Sequence, residues 1–142
     1  CKVNLAPVKA LLRKHIIPVI TPLGAGKDGK IYNINADVAA AALAGALKAR
    51  KLVFLSDVPG LLRNPKDQAT LIPTLDSGDV ETLVKEGVID GGMLPKVKSG
   101  IEALQAGVKK VHMIDGRMSH SLLLEVFTDK GVGTEVVAGE QR

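Results

Sequence analysis

Apolar residues along this chain switch between short continuous runs and longer stretches with helical spacing, and the switching predicts the elements. Val8, Leu11, Leu12 and His15 share one face of a helix over residues 5–15, with Pro7 suited to its first turn. "IIPVITPL" (16–23) reads as a β-branched buried strand that Pro18 strains. The turn-rich "GAGKDGK" (24–30) predicts a hairpin returning through residues 31–34. Residues 37–49 form an alanine-rich helix. "KLVFLSD" (51–57) is a short, continuous apolar strand of the parallel, doubly covered kind.

Residues 58–75 carry three prolines (Pro59, Pro65, Pro73) and read as loop. "SGDVETLVKEG" (77–87) predicts a helix with Ser77 as N-cap, acidic residues in the first turn and Gly87 as its stop. A further helix over 94–107 has Pro95 near its start. "KKVHMID" (109–115) is a strand, residues 119–129 a helix and "GTEVV" (133–137) a last strand. Strand and helix alternate through links short enough for βαβ units. The expected fold is α/β: a parallel or mixed sheet covered by helices on both faces.

Composition narrows the function classes. At 142 residues, 46% hydrophobic and 24% charged, the chain describes an ordinary folded domain. No apolar run approaches the ~20 residues that cross a bilayer, and no signal segment opens the sequence. Cys1 is the sole cysteine, which excludes a disulfide framework or a thiolate metal site and fits a reducing, cytoplasmic setting. The net charge of +4 is spread along the chain, and Tyr32, Phe54 and Phe127 are too few aromatics for a stacking platform. A small anion is therefore the expected partner, rather than nucleic acid or membrane. The opening "CKVNLA" lacks a methionine and reads as the middle of a strand entering a helix, so a fragment or a processed chain, with sequence missing upstream, is expected.

Ligands of open α/β sheets gather at strand carboxyl ends. "SDVPG" (56–60) and "IDGR" (114–117) sit at such ends, and "NINAD" (33–37) precedes a helix start. "GGMLPK" (91–96) places two glycines and Lys96 at another helix start, where partial positive charge favours anions. Each cluster has a plainer reading: Asn33 or Asn35 as caps, Asp37 as a first-turn acid, Lys96 as a solvated lysine, His112 as a core histidine. No GxxxxGK[ST], HExxH, GxSxG or CxxC occurs. The residues by themselves support an anion-binding α/β domain.

Taken together and in order, "YNINAD", "KLVFLSDVPGLL", "GVIDGGMLPK", "VHMIDGR" and "LLLEVFTDKGVGT" resemble the acetylglutamate kinases of the amino acid kinase family. That resemblance runs over essentially the whole chain. It implies a three-layer αβα sandwich with a mainly parallel sheet. Residues 1–36 would be the tail of an amino acid-binding lobe and 37–142 a nucleotide-binding lobe. The implied reaction is phosphorylation of the γ-carboxylate of N-acetyl-L-glutamate by ATP, with Mg²⁺ held mainly by the phosphates, in arginine biosynthesis.

Carried over by position, the resemblance makes Lys96 and Asp37 catalytic, with Lys96 neutralising the transferring phosphoryl group and Asp37 orienting lysine. Asn33 and Asn35 would bind the amino acid. Ser56, Asp57, Val58, Pro59, Gly60, Leu61 and Leu62 would border the nucleotide, together with Val88, Ile89 and Asp90. His112, Glu125 and Gly131 match a feedback L-arginine site. A homo-oligomer and a PII-type regulator are further implied partners. The family's glycine-rich lysine segment, its further Gly-Gly pair and its substrate-gripping arginine have no counterpart in these residues, so this stretch alone is expected to be inactive. The alternatives are another amino acid kinase, or a nucleotide- or arginine-binding module without catalysis.

Overall fold

The computed structural model describes residues 2–128 and 131–139, and its strands form a two-stranded hairpin and a four-stranded sheet. α1 (Ala6–Leu12) begins with proline in its first turn, as predicted, but buries none of its residues. The buried strand expected over 16–23 is absent. Ile17 and Val19 are 86% and 94% exposed. Pro18 and Pro22 strip two donors from the stretch, so its β-branched residues join no ladder until Leu23. From there the hairpin follows the prediction: β1 (Leu23–Ala25) pairs antiparallel with β2 (Ile31–Asn33).

α2 (Ala36–Leu47) leads into β3 (Lys51–Ser56). β4 (Thr74–Asp76), α3 (Val80–Lys85), α4 (Met93–Gln105), β5 (Lys110–Asp115), α5 (Ser121–Phe127) and β6 (Thr134–Val137) complete the described elements. The sheet order is β3-β5-β6-β4. The outer pairs β3–β5 and β4–β6 run parallel, and β5–β6 is antiparallel. β4 is a strand that sequence reading assigned to loop.

Alternation along β5 shows both faces covered. Val111 and Met113 face α4, where an added Cβ on Gly100 would lie 3.1 Å from Val111. His112 points to the other face and meets Glu125 of α5. β3 differs from its prediction: Leu52 and Phe54 are buried, but Leu55 is 56% exposed. It lies at the sheet edge and is covered on one face rather than two. α2 packs on α4 through small residues, with Gly45 so close that an added Cβ would lie 2.6 Å from Ala106 Cβ. Leu52, Phe54, Val97, Ala103, Val111, Met113 and Val136 form the centre of the core.

The start of the 77–87 helix also departs from expectation. Asp76 Oδ1 accepts the Gly78 N–H at 2.7 Å, a short 3₁₀ turn over Ser77–Asp79 intervenes, and α3 begins at Val80. The carboxylate out-competes the Ser77 hydroxyl, which instead accepts from the Gly139 N–H at 2.9 Å. Gly87, at φ +72°, ends this helical stretch as predicted. The helix expected over 119–129 is α5, entered through His120 at φ +60°; Asp129 lies outside the described residues. Among the described residues no helix is long and apolar enough to cross a membrane.

Candidate functional site

The "NINAD" cluster is organised by a cap. Asn35 Oδ1 accepts the N–H groups of Asp37 at 3.0 Å and Val38 at 3.2 Å, satisfying donors that the first turn of α2 leaves free. Capping fixes Asp37 in that turn, where Lys96 Nζ donates to Oδ2 at 2.9 Å and Oδ1 at 3.1 Å. Lys96 stands in the first turn of α4, so the tight α2–α4 packing sets the pair. Both side chains keep about one fifth of their surface open, at 20% for Asp37 and 22% for Lys96. Asn33 closes β2 two residues before the cap and is exposed.

A cleft of about 660 Å³ opens at the carboxyl ends of β3 and β5. Ser56, Asp57, Val58, Pro59, Gly60, Leu61, Leu62, Val88 and Asp90 all line it, and so does Lys96. Ile89 does not: at 1% exposure its side chain belongs to the core. Thr134 of β6 anchors the wall that follows β3. Its Oγ1 accepts the Leu61 N–H at 2.8 Å and donates to Ile72 O at 2.7 Å. Gly60 passes so near that an added Cβ would lie 2.7 Å from the same oxygen. At the start of α4, the Met93 and Leu94 N–H groups bond back to Asp90 O, and Pro95 has no N–H. The amine of Lys96 is therefore a larger part of what this helix offers an anion than the glycine-flanked backbone suggested.

Arg117 also lines the cleft, though sequence reasoning gave it no role. Its Nε and Nη2 donate to Asp115 at 2.9 and 2.8 Å. This fork, with the Arg117 N–H on the same carboxylate, holds the Asp115 pKa down at about 2 and raises that of Arg117. The available signal was an Asp-Gly-Arg triplet directly after a strand.

His112, Glu125 and Gly131 converge on the opposite face of the sheet. Glu125 is buried, although it lies on a helix. Its carboxylate meets His112 Nδ1 and accepts the Val132 N–H at 2.7 Å, while Gly131, at φ +59°, passes within contact of it. His112 Nε2 is buried without a partner. Among the described residues no group of three or more His, Cys, Asp or Glu is placed to hold a metal ion.

Comparison with known proteins adds to this geometry. A model described as the amino acid kinase family matches residues 2–115. The chain is 58% identical over 136 residues to an acetylglutamate kinase of Heliobacterium modesticaldum, covering 96% of this chain and 46% of that one. An acetylglutamate kinase of Aquifex aeolicus is 52% identical, over 94% of this chain and 44% of its own. The chain thus spans about half the length of the curated relatives it matches. Among solved structures, an N-acetylglutamate synthase from Neisseria gonorrhoeae, complexed with coenzyme A and L-arginine, superposes with a TM-score of 0.87 at 32% identity, over 96% of this chain and 31% of that one. A carbamate kinase from Giardia lamblia, at 23% identity and a TM-score of 0.70 over 96% of this chain and 45% of that one, shares the fold.

Proposed function

The chain belongs to the amino acid kinase family, and we propose that the protein it represents phosphorylates N-acetyl-L-glutamate on its γ-carboxylate with ATP. The observation that carries this reading is the Asp37–Lys96 pair standing beside a cleft built from two strand ends. A carboxylate oxygen attacks the γ-phosphorus in line; a C(O)O–P bond forms as the β,γ-bridging P–O bond breaks, and ADP leaves with the electron pair. The attacking carboxylate is already ionised, so no general base is required. Catalysis is then positioning and charge stabilisation.

Lys96 supplies the positive charge toward the equatorial oxygens. Asp37, accepting from it through both carboxylate oxygens, keeps the amine aimed. We assign Asn33, at the end of β2, and Asn35 to the amino acid, Asn35 also capping α2. Val58, Pro59, Leu62 and Met93 give the cleft an apolar lining suited to a nucleobase. Mg²⁺, when bound with the nucleotide, would neutralise phosphate oxygens, and Asp57 and Asp90 are the carboxylates in the cleft that could hold it.

The test joins this chain to the part of the Heliobacterium relative that it does not match and traps acyl phosphate as a hydroxamate. ATP- and acetylglutamate-dependent product is expected, falling roughly 10²–10³-fold in Lys96→Ala. Product from glutamate or carbamate instead would assign a different kinase. No product from a folded, ATP-binding chimera would favour a binding module.

A second reading concerns regulation. His112, Glu125 and Gly131 come together around a buried, half-partnered imidazole, and the Neisseria synthase neighbour was crystallised with L-arginine. We propose an arginine effector site there. Arginine inhibition of the chimera that is lost in Glu125→Gln supports it, and inhibition unaltered by that change removes it.

A further inference from the structure

Arg117 is placed in the cleft by more than its own side chain. Its loop leaves β5 where Asp115 pairs in register with Ser56 of β3. The Gly116 N–H donates to Ser56 O at 2.8 Å, and an added Cβ on Gly116 would lie 3.3 Å from Leu55 Cβ. The turn is thereby stitched to the strand end that begins the cleft wall. Asp115 then takes three donors from Arg117: the backbone N–H, Nε and Nη2. A guanidinium has five N–H donors, so the fork leaves three of them unspent on a side chain that is 65% exposed.

Stability does not account for this arrangement. An ion pair between residues two apart on an open rim adds little to a fold. What the fork does is orient a planar cation with its remaining edge free, and such an edge suits an anion carrying several oxygens. Lys96 lines the same cleft from a different element and is tied to Asp37. The cleft therefore holds two cations on separate supports, one beside the proposed transfer site and one at the end of β5.

We infer that Arg117, aimed by Asp115, binds the non-transferred phosphates of the nucleotide and sets how strongly the polyphosphate is held. The inference rests on reading the cleft as a nucleotide site. It assigns Arg117 to binding, leaving stabilisation of the transferring group to Lys96.

The test follows MgATP and, separately, adenosine by NMR titration of the full chain, in wild type, Arg117→Ala and Arg117→Lys. Arg117→Ala is expected to weaken MgATP about tenfold, as the loss of charge-assisted hydrogen bonds does, and to leave adenosine unchanged. Arg117→Lys should fall between, because it keeps the charge without the fork. MgATP binding equal in wild type and Arg117→Ala overturns the inference, as does an equal loss for adenosine; either result leaves the nucleotide cleft standing. A wild-type chain that binds neither ligand overturns the nucleotide reading and this inference with it.

Discussion

Lys96 Nζ lies 2.9 Å from Asp37 Oδ2 and 3.1 Å from Oδ1, joining the first turns of α4 and α2 across 59 residues of chain. The dipole of α2 favours Asp37 in its first turn, but that of α4 does not favour Lys96. A lysine at a helix start is electrostatically misplaced, and Asp37 is what compensates it. The pair stays partly open to solvent, so it keeps a charge available without full desolvation.

A double-mutant cycle on Asp37→Asn and Lys96→Met should give a coupling of about 1 kcal/mol, in the range of partly screened pairs. Urea unfolding measures it. Coupling near zero would mean the two groups do not hold one another in solution.

Gly45→Val should destabilise the chain by about 2 kcal/mol, because α2 and α4 meet with no room for a side chain there. Thermal melting reads the loss. Unchanged stability would show that the helices can separate freely at that end.

Thr134→Val keeps the shape of a fully buried residue but removes the oxygen shared by Leu61 N–H and Ile72 O. Leaving the Leu61 donor unpaired should cost about 1–3 kcal/mol. Amide exchange at Leu61 is expected to speed up with it. Protection retained at Leu61 would mean the cleft wall has another anchor.

The Asp115 carboxyl, held down at about 2 by Arg117, should remain ionised at pH 3, where an ordinary aspartate is mostly protonated. The sign follows from the lowered folded value: the pair's contribution is complete above the ordinary carboxylate range and disappears as pH falls through about 2. Carboxyl carbon shifts in an NMR titration report it. Titration near the ordinary value, 3.8, would indicate that the fork opens in solution.

Much of the fold was legible because periodicity and punctuation agreed. The alanine-rich α2, the apolar β5, Gly87 as a stop and the turn before Ile31 each carry a local signal that tertiary packing reinforces. The misses were places where a neighbour decided. Residues 16–20 have β-branched composition without a partner strand among the described residues. β4 is three residues beside Pro73, and becomes a strand only because β6 lies parallel to it. Of the site, the residues that family resemblance set around the nucleotide line one cleft together with Lys96, except Ile89, whose side chain the core claims. Arg117 was named only as part of the "IDGR" cluster, without a role of its own, because its place in the cleft depends on β3 lying beside β5.

The place of β6 has a consequence for how the molecule is made. It is the last described strand, yet it fills the slot between β5 and β4. A nascent chain stalled before Thr134 holds β4 and β5 with their inner edges open, and Leu61 without its anchor. Vectorial synthesis can therefore lay down the Asp37–Lys96 pair early, but the cleft wall must wait for β6 to emerge. During that wait the two open edges are the part of the molecule most in need of protection from other chains.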